Sequence, residues 1–230
     1  MDGAGSMSKR KPRSTKTASL RHEYTYFRRG HRYIIGIDEA GRGPWAGPVS
    51  AGAVCLPLER DDLSKALKGV RDSKQMTENQ RTTLAETIKE VALVWGVGHA
   101  TATEIDEIGI IPATMLAMQR ALETALSEEP FEPSCLFIDD MLLPELLHYP
   151  QISLIEGDSR SLSIAAASVL AKTWRDAYLL DIDAEFPQYG FAQHKGYGTA
   201  AHRAALKQYG PSPVHRHTYR PIRELSGDDK

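Results

Sequence analysis

Apolar positions along this 230-residue chain fall into short β-branched runs and longer helical stretches. Residues 33–38 read YIIGID, an apolar run closing on a carboxylate, and residues 49–56 are a second run rich in Ala and Val. The connection between them, EAGRGPWAGP, is dense in Gly and Pro, which predicts two strands joined by a Gly-rich turn. Residues 93–99, 136–139 and 152–156 read as three further strands. Helical periodicity fills the intervals. Thr77 can cap a helix running to about Glu90, and Pro112 can open one running to about Leu126. A long helix of small residues follows Gly157-Asp158-Ser159, with Asp158 or Ser159 as its candidate cap and Pro187 as its latest possible end. A last helix is expected over about 199–208, before Gly210 and Pro211. Strands first, then helices between strands, predict an α/β fold with a mixed central sheet.

Composition adds bounds. With 41% hydrophobic and 25% charged residues, the chain reads as a globular protein able to bury its own core. No apolar run is long enough to span a bilayer, and the basic N-terminus lacks the apolar stretch of a signal peptide, so no membrane partner and a cytoplasmic location are expected. Cys55 and Cys135 lie in apolar runs and read as buried reduced thiols. Residues 1–30 are small, polar and basic, and are expected to be a largely disordered tail. The body then covers 31–222, with a helical subdomain from about 187, and 223–230 form a second tail.

Charge sharpens the picture. Residues 1–32 carry a net of +7 and the remainder a net of −9. An acidic body does not coat nucleic acid by bulk charge. A nucleic-acid enzyme with this balance needs a local basic patch and cations to offset its own carboxylates. Residues 193–223 supply such a patch: Lys195, Arg203, Lys207, Arg216, Arg220 and Arg223, with no acid and with His194, His202, His215 and His217.

Three predicted strands end at or just before an acid: Asp38, beside Glu39; Asp139, beside Asp140; and Asp158. Ligand sites of α/β sheets lie off strand ends, so these carboxylates can converge although about a hundred residues separate them. Oxygen donors without Cys or His suit Mg²⁺ or Mn²⁺ rather than zinc. Two such ions can activate a water and stabilise the leaving oxygen in phosphodiester hydrolysis. Spacing alone does not choose between Asp139 and Asp140. Gly41-Arg42-Gly43 can bring backbone amides against a phosphate or a sugar 2′-hydroxyl, the group that separates RNA from DNA. Lys195 can meet a phosphate, and Tyr197, between two glycines, can stack on a sugar or base.

Taken together, IDEAGRGPWAGPV, the DSK of residues 72–74, the FID of residues 137–139, GDSRSLSIAAASVLAKTWRD and YGFAQHKGYGT strongly resemble bacterial ribonuclease HII over residues 33–222. The resemblance implies a ribonuclease H-like fold with a central mixed five-stranded sheet flanked by helices and a C-terminal helical extension. It implies Mg²⁺- or Mn²⁺-dependent hydrolysis on the 5′ side of ribonucleotides, in RNA–DNA hybrids and singly embedded in duplex DNA, leaving 3′-hydroxyl and 5′-phosphate ends. By motif the acidic residues are Asp38, Glu39, Asp139 and Asp158, which chooses Asp139 over Asp140. Gly41, Arg42 and Gly43 match the junction-sensing turn, and Tyr197 matches the tyrosine that stacks on the following deoxyribose. Ser73, Lys74 and Lys195 are further candidate substrate contacts. Departures from the pattern are Asp140 where Gly is usual, Glu156 where Lys is usual, and Trp45 where a smaller aliphatic residue is common. A monomer is expected. The alternatives are a non-catalytic hybrid-binding module of the same fold, and a ribonuclease HIII, whose N-terminal domain thirty basic residues cannot form.

Overall fold

The computed structural model describes residues 16–127 and 131–226. In chain order these form α1 (Arg21–Phe27), β1 (Ile34–Ala40), β2 (Val49–Cys55), α2 (Leu63–Ala66), a 3-10 turn over Ser73–Gln75, α3 (Glu78–Val91), β3 (Val94–Ala100), α4 (Ala102–Ile108) and α5 (Ile110–Ala125). Then follow β4 (Cys135–Asp139), a second 3-10 turn over Pro144–Leu146, β5 (Gln151–Leu154), α6 (Gly157–Arg160), α7 (Leu162–Glu185), α8 (Phe191–His194), α9 (Ala200–Tyr209) and α10 (Arg220–Ser226).

The strands make one mixed sheet in the order β3-β2-β1-β4-β5. β1–β2 and β2–β3 are antiparallel; β1–β4 and β4–β5 are parallel. Side chains alternate across the pleat, and both faces are buried. Ile34 of β1 and Val54 of β2 join one core with α7, whereas Ile35, Ile37, Ala51 and Ala53 join the other with α5. Glycines set how closely the helices approach. A Cβ at Gly36 or Gly52 would overlap α7 backbone at Ser163 or Ala167, and one at Gly96 or Gly98 would overlap α5 backbone. The Ala- and Ser-rich sequence of α7 is the counterpart of that close contact.

Helix starts follow the expected chemistry, with one change. Thr77 and Gln80 form a reciprocal capping box on α3, and Thr199 caps α9. α5 begins at Ile110, placing Pro112 in its first turn. α7 is capped by Ser161, not by Asp158 or Ser159, because Gly157–Arg160 form a short helix of their own. α4, between Thr101 and Gly109, also has a capping box, formed by Thr101 and Glu104.

The N-terminal tail expectation is corrected for the described residues. Ala18 and Leu20 are buried in the α7 core, and the Ala18 amide donates to Val70 O. Glu23 in α1 is fully buried, and its Oε1 accepts from Ser161 Oγ at 2.6 Å, Ser163 N at 3.0 Å and Ser163 Oγ at 2.9 Å. It thus satisfies donors at the start of α7. Residues 1–15 lie outside the described residues. At the other end α10 extends to Ser226 with Ile222 fully buried, so the proposed tail from 223 begins as helix. α8, α9 and α10 pack with the end of α7 in a third core containing Ala46, Leu179, Phe191 and Leu206. No helix of the described residues is long and apolar enough to cross a membrane.

Candidate active site

Because β1, β4 and β5 are adjacent and parallel, their C-terminal ends share one edge of the sheet. Asp38 lies near the end of β1, Asp139 closes β4, and Asp158 sits in α6, directly after β5. Asp38 is 2% exposed and Asp158 7%. Asp38 Oδ1 accepts from the Glu39 amide at 2.7 Å, while its Oδ2 is buried without a hydrogen-bond partner. Asp139 Oδ1 accepts from the Gly157 amide at 2.6 Å, which ties the end of β4 to the start of α6.

The electrostatics report the crowding. Burial, then the charges of Glu39, Asp139 and Asp158, push the Asp38 carboxyl well above the ordinary range, against a hydrogen bond from Ser168. Burial also raises Glu39, with Asp139 adding to it and Arg42 and Lys74 opposing. Asp139 is raised by burial against the Gly157 amide, and Asp158 is pushed to about 6 by burial, Asp72 and Asp139. A buried, oxygen-only cluster that resists ionisation, with one carboxylate oxygen lacking any donor, fits a hard divalent cation. Among the described residues no group of three or more His, Cys, Asp or Glu is arranged to hold a metal ion by itself.

The turn after β1 is held from below by two arginines: Arg216, assigned from the sequence to a basic patch, and Arg175, which the sequence did not mark. Arg216 is fully buried and donates to Gly41 O at 2.6 Å, Arg42 O at 2.9 Å and Gly47 O at 3.0 Å. Arg175 of α7 is also fully buried and donates to Pro48 O at 2.8 Å, Ala46 O at 3.0 Å and Lys195 O at 3.1 Å. Their acceptors in this clamp are neutral carbonyls. Burial, then the Arg216 charge, lowers Arg175 to about 10. A trans peptide sets N–H opposite C=O, so carbonyls of Gly41 and Arg42 drawn inward turn the Arg42 and Gly43 amides outward. Gly41 is required here: its φ is +99°, and a Cβ would overlap the Arg175 guanidinium. The basic patch read from the sequence is corrected accordingly. Arg216, His202 and His215 are buried and structural, not part of a charged surface.

Tyr197 is 49% exposed, and its ring lies beside Gly43, 3.9 Å from where a Cβ would stand. The turn and the tyrosine thus form one surface. Lys195 has a left-handed backbone, φ +51°, and gives its carbonyl to Arg175. Lys74 is exposed, with Nζ 4.0 Å from Asp158 Oδ2; burial works against its charge, but Asp38, Asp158 and Asp72 hold its ammonium above the ordinary range. Ser73 does not face the opening. It is 2% exposed, and its hydroxyl lies 2.9 Å from Ser168 Oγ. Ser168 also bonds Asp38, so Ser73 sits behind the carboxylates. Its turn is anchored to α7 through Arg81, which donates to Met76 O at 2.9 Å and Asp176 Oδ2 at 2.8 Å.

A family model described as Ribonuclease HII matches residues 35–221. The chain belongs to the ribonuclease HII family. It is accordingly an endoribonuclease. Ribonuclease HII of Syntrophotalea carbinolica is 49% identical over 92% of this chain and 96% of the relative, and that of Chloroflexus aurantiacus is 52% identical over 88% and 93%. Among solved structures, ribonuclease H2 of Pyrococcus horikoshii shares the fold with TM-score 0.67 at 24% identity, covering 85% of this chain and 98% of that one. A Bst ribonuclease HIII in complex with Mn²⁺ gives 0.64 at 18%, over 87% and 71%. These two likenesses speak to the fold.

Asp140 and Trp45, which depart from the pattern of the ribonuclease HII family, have a structural setting, whereas nothing in the structure explains Glu156. Asp140 and Glu156 both have left-handed backbones, φ +48° and +53°, and both are exposed. Gly adopts that conformation without strain and Asp tolerates it better than most residues. Asp140 raises the Asp139 carboxyl further. The Trp45 indole fills space that a Cβ at Gly198 would overlap, and Arg203 lies 5.0 Å over its ring. The two thiols read from the sequence are buried and free, with Cys55 pushed to about 12 and Cys135 to about 11 by burial.

Proposed function

We propose that this ribonuclease HII hydrolyses the phosphodiester on the 5′ side of ribonucleotides, both in RNA–DNA hybrids and singly embedded in duplex DNA, and so serves removal of misincorporated ribonucleotides. The observation that carries this reading is the juxtaposition, at one sheet edge, of buried acids with an outward-facing pair of amides and an exposed tyrosine. Asp38, Glu39, Asp139 and Asp158 would hold Mg²⁺ or Mn²⁺, and two such ions supply an activated water and charge stabilisation of the leaving oxygen. The unpartnered Oδ2 of Asp38 supports a cation at this edge of the sheet.

The protein's own groups select the phosphate. The Arg42 and Gly43 amides, turned outward by Arg216, are placed to bond a 2′-hydroxyl, and a deoxyribose there leaves them unpaired. Tyr197, beside Gly43, gives a flat face for the next sugar, where a further 2′-hydroxyl would obstruct stacking. Lys74 and Lys195 stand ready for phosphates. Water attacks phosphorus, the bond to the preceding 3′-oxygen breaks, and that oxygen takes a proton. The products carry a 3′-hydroxyl and, on the ribonucleotide, a 5′-phosphate.

The direct test is a labelled duplex DNA with one ribonucleotide, incubated with Mg²⁺ and with Mn²⁺. A cut immediately 5′ of the ribonucleotide is expected. Metal-independent cleavage, or cleavage on its 3′ side, would refute the proposal.

A further inference from the structure

Three imidazoles of the C-terminal region take no part in the chemistry above. His202 of α9 and His215 are fully buried, and His194 closes α8. His202 Nδ1 lies 3.0 Å from the Tyr197 carbonyl oxygen, and its Nε2 lies 3.0 Å from His215 Nε2. His215 Nδ1 lies 2.9 Å from the Ser212 amide nitrogen, 2.8 Å from Ser212 Oγ and 3.3 Å from the Ser212 carbonyl oxygen.

The two ends of this chain dictate its protons. A carbonyl only accepts, so Tyr197 O requires a proton on His202 Nδ1. A backbone amide only donates, so Ser212 N requires a bare His215 Nδ1. In two neutral rings, His202 Nε2 is then the acceptor and His215 Nε2 the donor. That one arrangement satisfies every contact except the longest, His215 Nδ1 to the Ser212 carbonyl oxygen at 3.3 Å, which yields to the amide at 2.9 Å. An added proton on His202 would set two N–H groups against each other. Burial, followed for His215 by the His202 ring, holds the pair neutral, His202 at about 4 and His215 at about 3.

The rest of the environment immobilises the same peptide. His194 stacks on His202 with centroids 4.3 Å apart at 14°. The His194 ring lies 2.7 Å from Tyr189 O through Nε2 and accepts from the Gly196 amide at 3.2 Å. The Tyr197 amide donates to His194 O at 2.9 Å, and Tyr197 O also accepts from Thr199 N at 2.8 Å. The Tyr197 side chain itself is exposed and held by none of these. Its location is therefore set through its backbone.

We infer that His202 is a positioning residue for Tyr197: a single-tautomer hydrogen bond to the Tyr197 carbonyl, locked from behind by His215, sets where the tyrosine ring meets the sugar. The inference rests on the sugar-reading role proposed above for Tyr197. His202 does not touch substrate.

The test uses the full chain and compares kcat/KM on duplex DNA bearing one ribonucleotide with kcat/KM on a continuous RNA–DNA hybrid. His202→Ala should lower the ratio of the two about tenfold, near that of Tyr197→Ala, because tenfold corresponds to about 1.4 kcal/mol of lost transition-state contact. His202→Asn, whose amide N–H falls near Nδ1, should recover most of the ratio. His202→Gln, whose amide reaches the Nε2 position instead, should not. An unchanged ratio in His202→Ala overturns the inference, as does equal rescue by Gln and Asn, or parallel loss on both substrates that tracks melting temperature. If Tyr197→Ala keeps the wild-type ratio, the tyrosine reading fails first, which separates the two ideas. ¹⁵N imidazole spectra of the wild-type protein at neutral pH need no variant to fold. They should show His202 protonated at Nδ1 and His215 at Nε2, and the reverse tautomers overturn the inference.

Discussion

Asp38 combines three properties that rarely coexist: it is buried, surrounded by like charge, and left with an oxygen that nothing donates to. Such a group costs stability, and a buried carboxylate perturbed by like charge is a candidate for chemistry. Asp38→Asn should bring cleavage of the embedded ribonucleotide below detection, while the melting temperature in chelator holds or rises as one charge leaves the cluster. Wild-type-like turnover would sink its catalytic assignment. Tyr197→Ala should weaken junction cleavage by about tenfold or more, from a stacking contribution of ~1–3 kcal/mol. Its exposure predicts little change in unfolding midpoint, and unchanged junction kinetics would remove it from the site. The acids were legible because each follows an apolar run. Ser73 was not: its motif suggested a substrate contact, but its hydroxyl is turned inward to Ser168.

Among the elements, the β1–β2 connection shows what local sequence leaves open. Gly and Pro announce a turn, but which way its carbonyls point depends on Arg216 and Arg175, which arrive from more than a hundred residues downstream. Arg216→Lys keeps the charge and loses the planar fork that spans three carbonyls. It should cost on the order of 2–3 kcal/mol of stability, since it leaves buried acceptors unpaired. It should also reduce the preference for a ribonucleotide over a deoxynucleotide at the cut. Full preference with lost stability would show that the clamp serves folding alone. α1 teaches the complementary lesson. Basic composition suggested a disordered arm, yet Leu20, Tyr24 and Phe27 form an apolar stripe at helical spacing, packed on the α7 core. Glu23→Ala strips the buried acceptor from Ser161 and Ser163 and should lower stability by about 2 kcal/mol. An unchanged denaturation midpoint would contradict that account.

For the molecule as a whole, pH links the core to the site. His202 and His215 have folded values near 4 and 3, below the unfolded 6.5. Their contribution to stability is fully present above pH 6.5 and is lost as pH falls from there toward about 4 and 3. The raised carboxylates work in the opposite direction, their repulsion easing as they protonate. Replacing the pair with neutral amides, His202→Asn with His215→Gln, should flatten the fall in melting temperature between pH 6.5 and 4. An equally steep fall would assign acid sensitivity elsewhere. The sequence by itself determined the alternation of strands and helices, the acids at strand ends, the turn glycines and, through motif order, the family, because these are written in local period and residue type. Tertiary structure alone decided that β1, β4 and β5 run parallel side by side, so that Asp38, Asp139 and Asp158 meet. It also decided that Arg175 and Arg216 lie beneath the turn and that His202 and His215 are buried as a hydrogen-bonded pair. Those outcomes depend on contacts between residues far apart in the chain, and local propensity holds no record of which distant group arrives.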